Sequence, residues 1–158
     1  MHDSLTHIDE QGQVSMVDVS SKEVLNRKSI AQGLFVAKVE TLDALVRGDL
    51  PKGEGLAVAR IAGIQAAKQC SNLIPLCHPL SIDCVDISFN RITSGKLQIT
   101  ATVSIQDRTG VEMEALTAVM TSALTIYDMG KAVDRAMHIE GVRLVRKRGG
   151  KSGDIDLE

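Results

Sequence analysis

Aromatic side chains are scarce in this sequence of 158 residues, which has two phenylalanines, one tyrosine and no tryptophan. A protein that binds single-stranded nucleic acid stacks the bases on such rings, so their scarcity argues against that class. The charge balance argues the same way, because 18 basic and 20 acidic residues leave a formal net charge of −2, whereas nucleic-acid binders typically have a basic excess. We therefore expect no nucleic acid among the partners.

Long apolar runs are also missing. No stretch approaches the roughly 18–20 apolar residues that a membrane span needs, and the first ten residues, MHDSLTHIDE, lack the apolar core of a signal peptide. Cysteine is limited to Cys70, Cys77 and Cys84, an odd number that fits neither a disulfide framework nor a paired zinc motif. Reduced thiols suit a cytoplasmic protein. The sequence thus predicts a cytoplasmic domain with no membrane association and no metal site.

The pattern of apolar residues predicts one α+β domain with the element order β-α-α-β-β-α-β. We expect a flexible N-terminal arm over residues 1–13, a single domain over 14–148 and a glycine-rich tail over 149–158. Strands are predicted at 30–39, 82–92, 96–105 and 142–145, and helices at 40–46, 56–70 and 111–137. Two main helices on one face of an antiparallel sheet, with one short extra helix, correspond to a ferredoxin-like arrangement. The open second face of such a sheet favours oligomerisation.

Local signals add detail to this prediction. Thr41 is placed to cap the first short helix, and Gly63 inside the second predicted helix indicates close packing against another backbone. Thr109 and Glu112 have the spacing of a capping box at the start of the longest helix. Three glycines within residues 146–158 argue against any regular element in the tail.

Two prolines, Pro75 and Pro79, enclose the tripeptide Leu76-Cys77-His78. Proline fixes its own backbone and restricts the residue before it, so this segment is extended or turned and cannot be helical. Such a segment is suited to hold a histidine and a few main-chain groups toward a ligand. The alternative is a rigid turn in which His78 is only a hydrogen-bonded spacer.

Four charged residues of the longest helix are candidates for chemistry, and each has a structural alternative. Glu112 is explained by the capping box, and Glu114, among apolar neighbours, fits the solvated face of the helix. Asp128 and Lys131 are three residues apart and lie on one helix face, where a simple ion pair is the usual outcome. Their small, apolar surroundings predict partial burial, which would raise the pKa of the aspartate and lower that of the lysine, as a general acid/base pair requires.

Distance along the helix limits how these residues can cooperate. Glu114 and Asp128 are separated by 14 residues, or about 21 Å at 1.5 Å per residue, so they reach one site only from different subunits. Several basic residues could meet around a phosphate ligand, although dispersed solubilising charge is the alternative. They are Lys52, Arg60, Lys68, Lys131, Lys147 and Lys151.

Six stretches of the chain match motifs of one enzyme family. They are MVDVS at 16–20, ARIAGIQAAK at 59–68, LIPLCHPL at 73–80, TGVEMEALTA at 109–118, ALTIYDM at 123–129 and GGKSGD at 149–154. On these residues the sequence resembles the MoaC family, the cyclic pyranopterin monophosphate synthases of molybdenum-cofactor biosynthesis. The resemblance covers nearly the whole chain, and its departures, such as residues 21–29 and 91–95, affect no candidate site residue.

The resemblance implies a lyase that converts (8S)-3′,8-cyclo-7,8-dihydroguanosine 5′-triphosphate, made by a radical enzyme, into cyclic pyranopterin monophosphate and diphosphate. It implies Asp128 and Lys131 as the catalytic acid/base pair. The residues that it implies in substrate binding are Leu76, Cys77, His78, Met113, Glu114, Glu112, Lys52, Lys68 and Lys147. It also implies a ferredoxin-like fold, no cofactor, and a homohexamer, a trimer of dimers, with each site between two subunits. Such a site would resolve the separation of Glu114 from Asp128.

Two functions of another class remain as alternatives. A non-catalytic ferredoxin-like module that senses a nucleotide predicts that the Asp128–Lys131 pair is dispensable and that His78 tolerates substitution. An RNA-binding protein of the same fold is disfavoured by the shortage of aromatic residues on the predicted hairpin 82–105.

Overall fold

The computed structural model describes residues 7–9, 11–150 and 153–158. Its elements are β1 (Leu25–Val36), α1 (Val39–Arg47), α2 (Gly55–Lys68), α3 (Cys70–Leu73), β2 (Cys84–Thr93), β3 (Lys96–Asp107), α4 (Glu112–Gly130), β4 (His138–Arg148) and β5 (Ile155–Asp156). The five strands form one sheet in the order β2-β3-β1-β4-β5, and every pairing is antiparallel. The predicted α+β, ferredoxin-like arrangement is confirmed.

The core lies between one face of the sheet and helices α2 and α4. Alternate residues of β1, including Ala31 and Phe35, are fully buried, as the period of two in a strand requires. Helix α4 meets them with small side chains such as Ala115 and Ala118, which are also fully buried. A core short of aromatic rings is therefore filled by aliphatic side chains at close spacing.

Gly63 allows the close approach of α2 and α4, as the sequence predicts. A Cβ atom at this position would lie 2.2 Å from Ser122 Oγ and 3.0 Å from the carbonyl oxygen of Ala118. Ser122, which is completely buried, uses the proximity to donate a hydrogen bond of 3.0 Å to the carbonyl oxygen of Ala59. The side chain of Ser122 thereby links α4 to the backbone of α2.

The predicted cap of α1 is wrong. Thr41 lies buried inside the first turn, and the capping carboxylate comes from Asp134, which is far away in sequence. Asp134 Oδ2 accepts hydrogen bonds from Lys38 N at 3.0 Å and Thr41 Oγ1 at 3.2 Å, while Oδ1 accepts one from Ala136 N at 3.0 Å. These hydrogen bonds favour the ionised carboxylate, so the pKa of Asp134 lies below its usual value.

Helix α4 is shorter than predicted. It ends at Gly130 instead of continuing to residue 137, because the chain turns there: the amides of Val133 and Asp134 both donate to the carbonyl oxygen of Gly130. Lys131 is consequently the C-terminal cap residue of α4 and not an interior helical residue. Its side chain stands at an exposed end of the helix.

The ends of the chain also differ from expectation in part. The tail contains a regular element, because Arg146, Lys147 and Arg148 belong to β4, and β5 pairs with that strand. In the N-terminal segment, Ile8 forms an isolated bridge with Val14. The remaining part of the predicted arm, residues 1–6 and 10, lies outside the described residues, as do Lys151 and Ser152. Within the part of the chain that is described, no helix has the length and apolar character needed to cross a membrane.

Candidate active site

The candidate site residues form two groups at opposite ends of α4. The first, which we call the histidine cluster, lies at its N-terminal end. The second, which we call the aspartate cluster, lies at its C-terminal end and consists of Lys52, Asp128 and Lys131. The histidine cluster consists of Leu76, Cys77, His78, Glu112, Met113 and Glu114, which line one cavity of about 410 Å³.

His78 is held in the histidine cluster by the main chain of a distant segment. Its Nε2 atom lies 2.8 Å from the carbonyl oxygen of Val17. A carbonyl oxygen only accepts hydrogen bonds, so we assign a ring proton to Nε2, which donates it to this oxygen. The segment between Pro75 and Pro79 is non-helical, as predicted, and His78 is half-buried beside the cavity.

Glu114 is buried, with 3% of its surface exposed, which contradicts the prediction that it lies on a solvated helix face. Its helix position points into the space between α4 and the segment that contains Cys70 and Cys77. Burial raises the pKa of Glu114 above its usual value, and the nearby charge of Glu112 adds a smaller effect in the same direction. The cavity therefore contains a carboxyl group that holds a proton more readily than an exposed glutamate does.

Glu112 forms an ion pair with Lys147 of β4 and does not form the predicted capping box. The residue at the N-cap of α4 is Val111, without a side-chain cap. Thr109 lies two residues before this N-cap, too far from the first turn to serve, and the lysine ammonium offers the Glu112 carboxylate a charged partner in place of a backbone amide. Glu112 thus connects α4 with the sheet.

A second cavity of about 650 Å³ adjoins the first, since Glu112 lines both. Its basic residues are Lys22, Arg27, Arg108 and Lys147. Sequence analysis did not identify the first three. Arg27 is 8% exposed, and its guanidinium donates to the carbonyl oxygens of Asp107 and Arg108 at 2.8 and 2.9 Å. The sequence carries a signal for the burial of Arg27, because this residue lies an even number of positions before Ala31 and Phe35 and therefore on the same inward face of β1.

The aspartate cluster is an exposed network of three charges. Asp128 Oδ2 lies 2.6 Å from Lys52 Nζ, and Oδ1 lies 2.7 Å from Lys131 Nζ. About half of each side chain is exposed, so the predicted partial burial is wrong for this chain. Hydrogen bonds from Lys131 and then Lys52 lower the pKa of Asp128 to about 2, and the bond to Asp128 raises the pKa of Lys131. Both shifts are opposite to those predicted from burial.

The two clusters cannot meet within one chain. Helix α4 is continuous from Glu112 to Gly130, so the 14 residues between Glu114 and Asp128 correspond to about 21 Å. Lys68 joins neither cluster; it is exposed at the end of α2 and lines a separate shallow depression. Among the residues described, no three His, Cys, Asp or Glu side chains are grouped so that they could hold a metal ion.

Comparison with known proteins identifies the family. The model of the MoaC family matches residues 16–150, which is most of the chain. The chain belongs to the MoaC family. Both clusters lie inside the region matched to the MoaC family, as does the basic cavity beside the histidine cluster.

Relatives of this MoaC-family chain match nearly all of it. A cyclic pyranopterin monophosphate synthase of Novosphingobium aromaticivorans is 56% identical over 149 residues, which are 94% of each chain. One of Chloroflexus aggregans is 54% identical over 157 residues, covering 99% of this chain and 95% of the relative. A cyclic pyranopterin monophosphate synthase 3 of Mycobacterium bovis is 55% identical over 153 residues. The resemblance stated from the motifs is confirmed.

Proposed function

We propose that this chain is a cyclic pyranopterin monophosphate synthase of molybdenum-cofactor biosynthesis. It acts as a lyase on (8S)-3′,8-cyclo-7,8-dihydroguanosine 5′-triphosphate, forms the cyclic monophosphate of the pyranopterin and releases diphosphate. Membership of the MoaC family and the names of relatives at 54–56% identity support this function. The structural observation that carries it is the aspartate cluster, in which one carboxylate is bound by two lysine ammonium groups.

Asp128 and Lys131 are the acid/base pair of this proposal. The reaction opens an imidazole ring and builds a pyrazine ring, which requires protons to move to and from ring nitrogens and carbon. At neutral pH the low pKa of Asp128 and the raised pKa of Lys131 keep the first as a carboxylate and the second as an ammonium. Asp128 is therefore in the form that accepts a proton, and Lys131 in the form that donates one.

Substrate binding makes Asp128 a stronger base. Lys52 is one of the two donors that lower the pKa of Asp128. When Lys52 turns to a phosphate oxygen of the substrate, the carboxylate loses that donor, and its pKa rises toward the range useful for proton transfer. Lys52 thus couples triphosphate binding to the basicity of Asp128, and its own charge stabilises the diphosphate that leaves.

The histidine cluster binds the purine-derived part of the substrate in this proposal. Leu76, Met113 and the half-buried Cys77 give the cavity apolar walls, while His78 and Glu114 provide polar groups of fixed orientation. Lys147, in the adjoining basic cavity, and Lys68 are the remaining cations for the triphosphate.

The complete active site lies between two subunits of a cytoplasmic homohexamer, a trimer of dimers, that acts after a radical enzyme. The separation of about 21 Å between the two ends of α4 supports this assembly, because each chain offers the two halves of a site at opposite ends. The exposed state of the aspartate cluster also supports it, since a second chain can close over it. Closure would remove water from the acid/base pair and strengthen its interactions with the substrate.

A coupled assay tests the proposed function. GTP is converted in place by the radical enzyme of the pathway, the purified protein is added, and the product is oxidised and measured by its pterin fluorescence. We expect pterin with the wild type, and a loss of about 100-fold or more with Lys131→Ala because the proton donor is removed. Asp49→Asn, which alters an exposed ion pair with Arg47, is the matched control and should retain activity.

The competing function is a non-catalytic binding module, which the exposure of the Asp128–Lys131 pair favours, since exposed ion pairs are often dispensable. That function predicts no pterin from folded wild-type protein, and no difference between Lys131→Ala and Asp49→Asn in binding the triphosphate. The absence of pterin from folded wild-type protein would contradict the synthase.

A further inference from the structure

The cavity of the histidine cluster has a second wall, which comes from the N-terminal segment. His7, Val17, Val19 and Lys22 line the cavity together with the residues of the cluster. His7 is exposed, so its imidazole is accessible to a ligand in the cavity. The family resemblance implies no substrate-binding residue in this segment, and the proposed function gives the segment no role.

A short hairpin, which we call the N-terminal hairpin, holds His7 at this wall. Its described residues are 7–9 and 11–15. The amide of Ser15 donates to the carbonyl oxygen of His7 at 2.9 Å, and an isolated antiparallel bridge joins the next residue on each side. His7 therefore lies at the base of the hairpin, where its backbone is fixed.

Asp9 closes the turn of the N-terminal hairpin. Its Oδ1 atom accepts hydrogen bonds from the amides of Gln11 at 2.9 Å and Gln13 at 2.8 Å, and its own amide donates to the carbonyl oxygen of Gln13 at 2.9 Å. Gly12 has a φ of 78°, a left-handed conformation that glycine adopts without steric cost. One side chain thus connects the two arms of the hairpin and supports the position of His7.

The chain that follows the N-terminal hairpin is anchored to the site at two points. The carbonyl oxygen of Val17 accepts the hydrogen bond of His78 at 2.8 Å, and that of Lys22 accepts one from Arg108 Nε at 3.2 Å. The hairpin ends only two residues before Val17. The contact that holds His78 therefore also keeps the base of the hairpin beside the histidine cluster.

The acceptors of this cavity suit a guanine-derived ring. Glu112 and Glu114 provide carboxyl oxygens, which accept hydrogen bonds from the amino and ring N–H groups of such a ring. The keto oxygen of the ring is an acceptor itself, so it requires a donor from the protein.

Three side chains with nitrogen donors line the cavity, and they differ in what else they contact. The Nε2 donor of His78 is used by the carbonyl oxygen of Val17. Lys22 lines both this cavity and the basic cavity, so its charge lies toward the phosphates. Of these two cavities, His7 lines only the first, which makes its ring N–H the donor best placed for the keto oxygen.

We propose that His7 is a further substrate-binding residue, which donates a hydrogen bond from its imidazole to the keto oxygen of a guanine-derived ring. A neutral imidazole is sufficient, because one of its nitrogens carries a proton. An adenine ring presents an amino group at the same position, and that group is a donor as well. His7 thus distinguishes the two purines. The identity of the ligand rests on the proposed function, whereas the place of His7 in the cavity does not.

Chemical footprinting of the full-length protein, with GTP as the probe, tests the contact. Diethyl pyrocarbonate acylates imidazole nitrogens, and Asp-N protease releases residues 3–8, in which His7 is the only histidine. GTP at about five times its measured dissociation constant leaves about a sixth of the sites free, so we expect the modification of His7 to slow about sixfold. His138, which is exposed on β4, should keep its rate. Absence of GTP binding, or bound GTP that leaves the rate at His7 unchanged, would overturn the proposal.

Binding of GTP and ATP to His7→Ala tests recognition of the keto oxygen. With folding checked by circular dichroism, the substitution should weaken GTP binding about 3- to 10-fold, as expected for one lost hydrogen bond, and leave ATP binding within about twofold. His7→Gln, which retains an N–H donor, should recover part of the GTP affinity. An equal loss for both nucleotides would show that His7 does not contact the keto oxygen.

Two substitutions of Asp9 test whether the N-terminal hairpin positions His7. Asp9→Asn keeps the Oδ1 acceptor, whereas Asp9→Ala removes both hydrogen bonds of the turn. Asp-N protease then releases residues 3–17, again with His7 as the only histidine. We expect Asp9→Ala to lose most of the protection by GTP and Asp9→Asn to keep it. Full protection in Asp9→Ala would mean that the hairpin does not place His7.

The coupled assay separates this proposal from the proposed function. His7→Ala should raise KM about 3- to 10-fold and leave kcat within about twofold, because the contact binds substrate and transition state alike. A fall in kcat at unchanged KM would contradict a binding role. Absence of pterin from the wild type would instead contradict the synthase, and the footprint with GTP would still decide whether His7 contacts the nucleotide.

Discussion

The pKa values of Glu114 and Asp128, two of the three acidic residues of α4, are shifted in opposite directions by different causes. Burial raises the pKa of Glu114 at one end of the helix, whereas lysine hydrogen bonds lower the pKa of Asp128 at the other. Both side chains carry a carboxyl group, so residue type alone does not predict that their pKa values shift in opposite directions. Their roles in the proposed reaction follow from this difference: Asp128 is ionised and accepts a proton, and Glu114 is a buried carboxyl group of fixed position beside the cavity.

Glu114→Gln is expected to separate stability from activity. The folded pKa of Glu114 is raised, so the folded state binds the proton more tightly than the unfolded state, and ionisation costs stability as the pH rises through that pKa. Removing the charge should therefore raise the free energy of unfolding at pH 8 by up to about 1 kcal/mol, with little change at pH 4, while pterin formation falls. Urea denaturation at the two pH values measures this.

Glu40→Gln is the control for that experiment, because Glu40 is exposed in the first turn of α1 and should show no such gain. A Glu114→Gln variant that is less stable than the wild type at pH 8, with a deficit that grows with pH, would show that the buried charge stabilises the fold.

At the scale of elements, Asp134 joins the end of α4 to the start of α1. Its carboxylate accepts three hydrogen bonds while only 2% of the residue is exposed. Lys52 and Lys131 belong to the segments that follow these two helices. The geometry of the aspartate cluster therefore depends on this connection, although Asp134 itself touches none of its residues.

Asp134→Asn is expected to lower the free energy of unfolding by about 1–3 kcal/mol at pH 7. The side-chain nitrogen of the asparagine would face a hydrogen-bond donor at a position where a carboxylate oxygen of Asp134 accepts a hydrogen bond. The folded pKa of Asp134 is lowered, so its contribution is present above the unfolded pKa of about 3.9 and is lost as the pH falls through the folded value. The difference between variant and wild type should shrink below about pH 4. Denaturant titrations from pH 3 to 7 measure it.

Asp49→Asn again provides the control, since Asp49 is exposed and pairs only with a neighbouring arginine; it should change stability by less than about 0.5 kcal/mol. Equal effects of the two substitutions would mean that the carboxylate of Asp134 has no special part in holding α1 and α4 together.

Sequence patterns predict the elements of this fold better than their ends and their burial. The hairpin of β2 and β3 and the close packing at Gly63 follow from local periodicity and turn residues, and both are confirmed. The cap of α1 could not be predicted, because Asp134 lies 96 residues from Lys38. Burial of Glu114 likewise depends on the segment that contains Cys70, which α4 meets only in the folded chain.

The candidate site shows the same limit. Proline spacing singled out His78, and helical spacing singled out Asp128 with Lys131, but their proposed roles came from the family resemblance. The apolar neighbours of Asp128 and Lys131 predicted the wrong direction for both pKa shifts, because these neighbours do not cover the exposed end of α4. Arg27 was missed because a single basic residue near the start of a strand resembles a solvated strand end.

At the scale of the whole molecule, one chain presents two separate clusters of candidate site residues, each an incomplete site in the proposed mechanism. The histidine cluster and the aspartate cluster lie at opposite ends of α4. Because this helix is continuous, the two clusters of one chain can come together only if the helix unfolds. In the proposed assembly, a second chain places its aspartate cluster against the histidine cluster of the first and so completes a site with both the proposed acid/base pair and the proposed binding cavity. The assembly is therefore part of the proposed mechanism.

Mixing two inactive variants tests this account most directly. Lys131→Ala damages only the aspartate cluster and Glu114→Gln only the histidine cluster, so each oligomer alone should form little pterin. After the subunits are unfolded and refolded together in equal amounts, random assembly leaves both halves intact in about a quarter of the shared sites. We expect about that fraction of wild-type activity in the coupled assay, with mixed oligomers verified by native mass spectrometry. Mixed oligomers that stay as inactive as the separate variants would contradict a site shared between subunits.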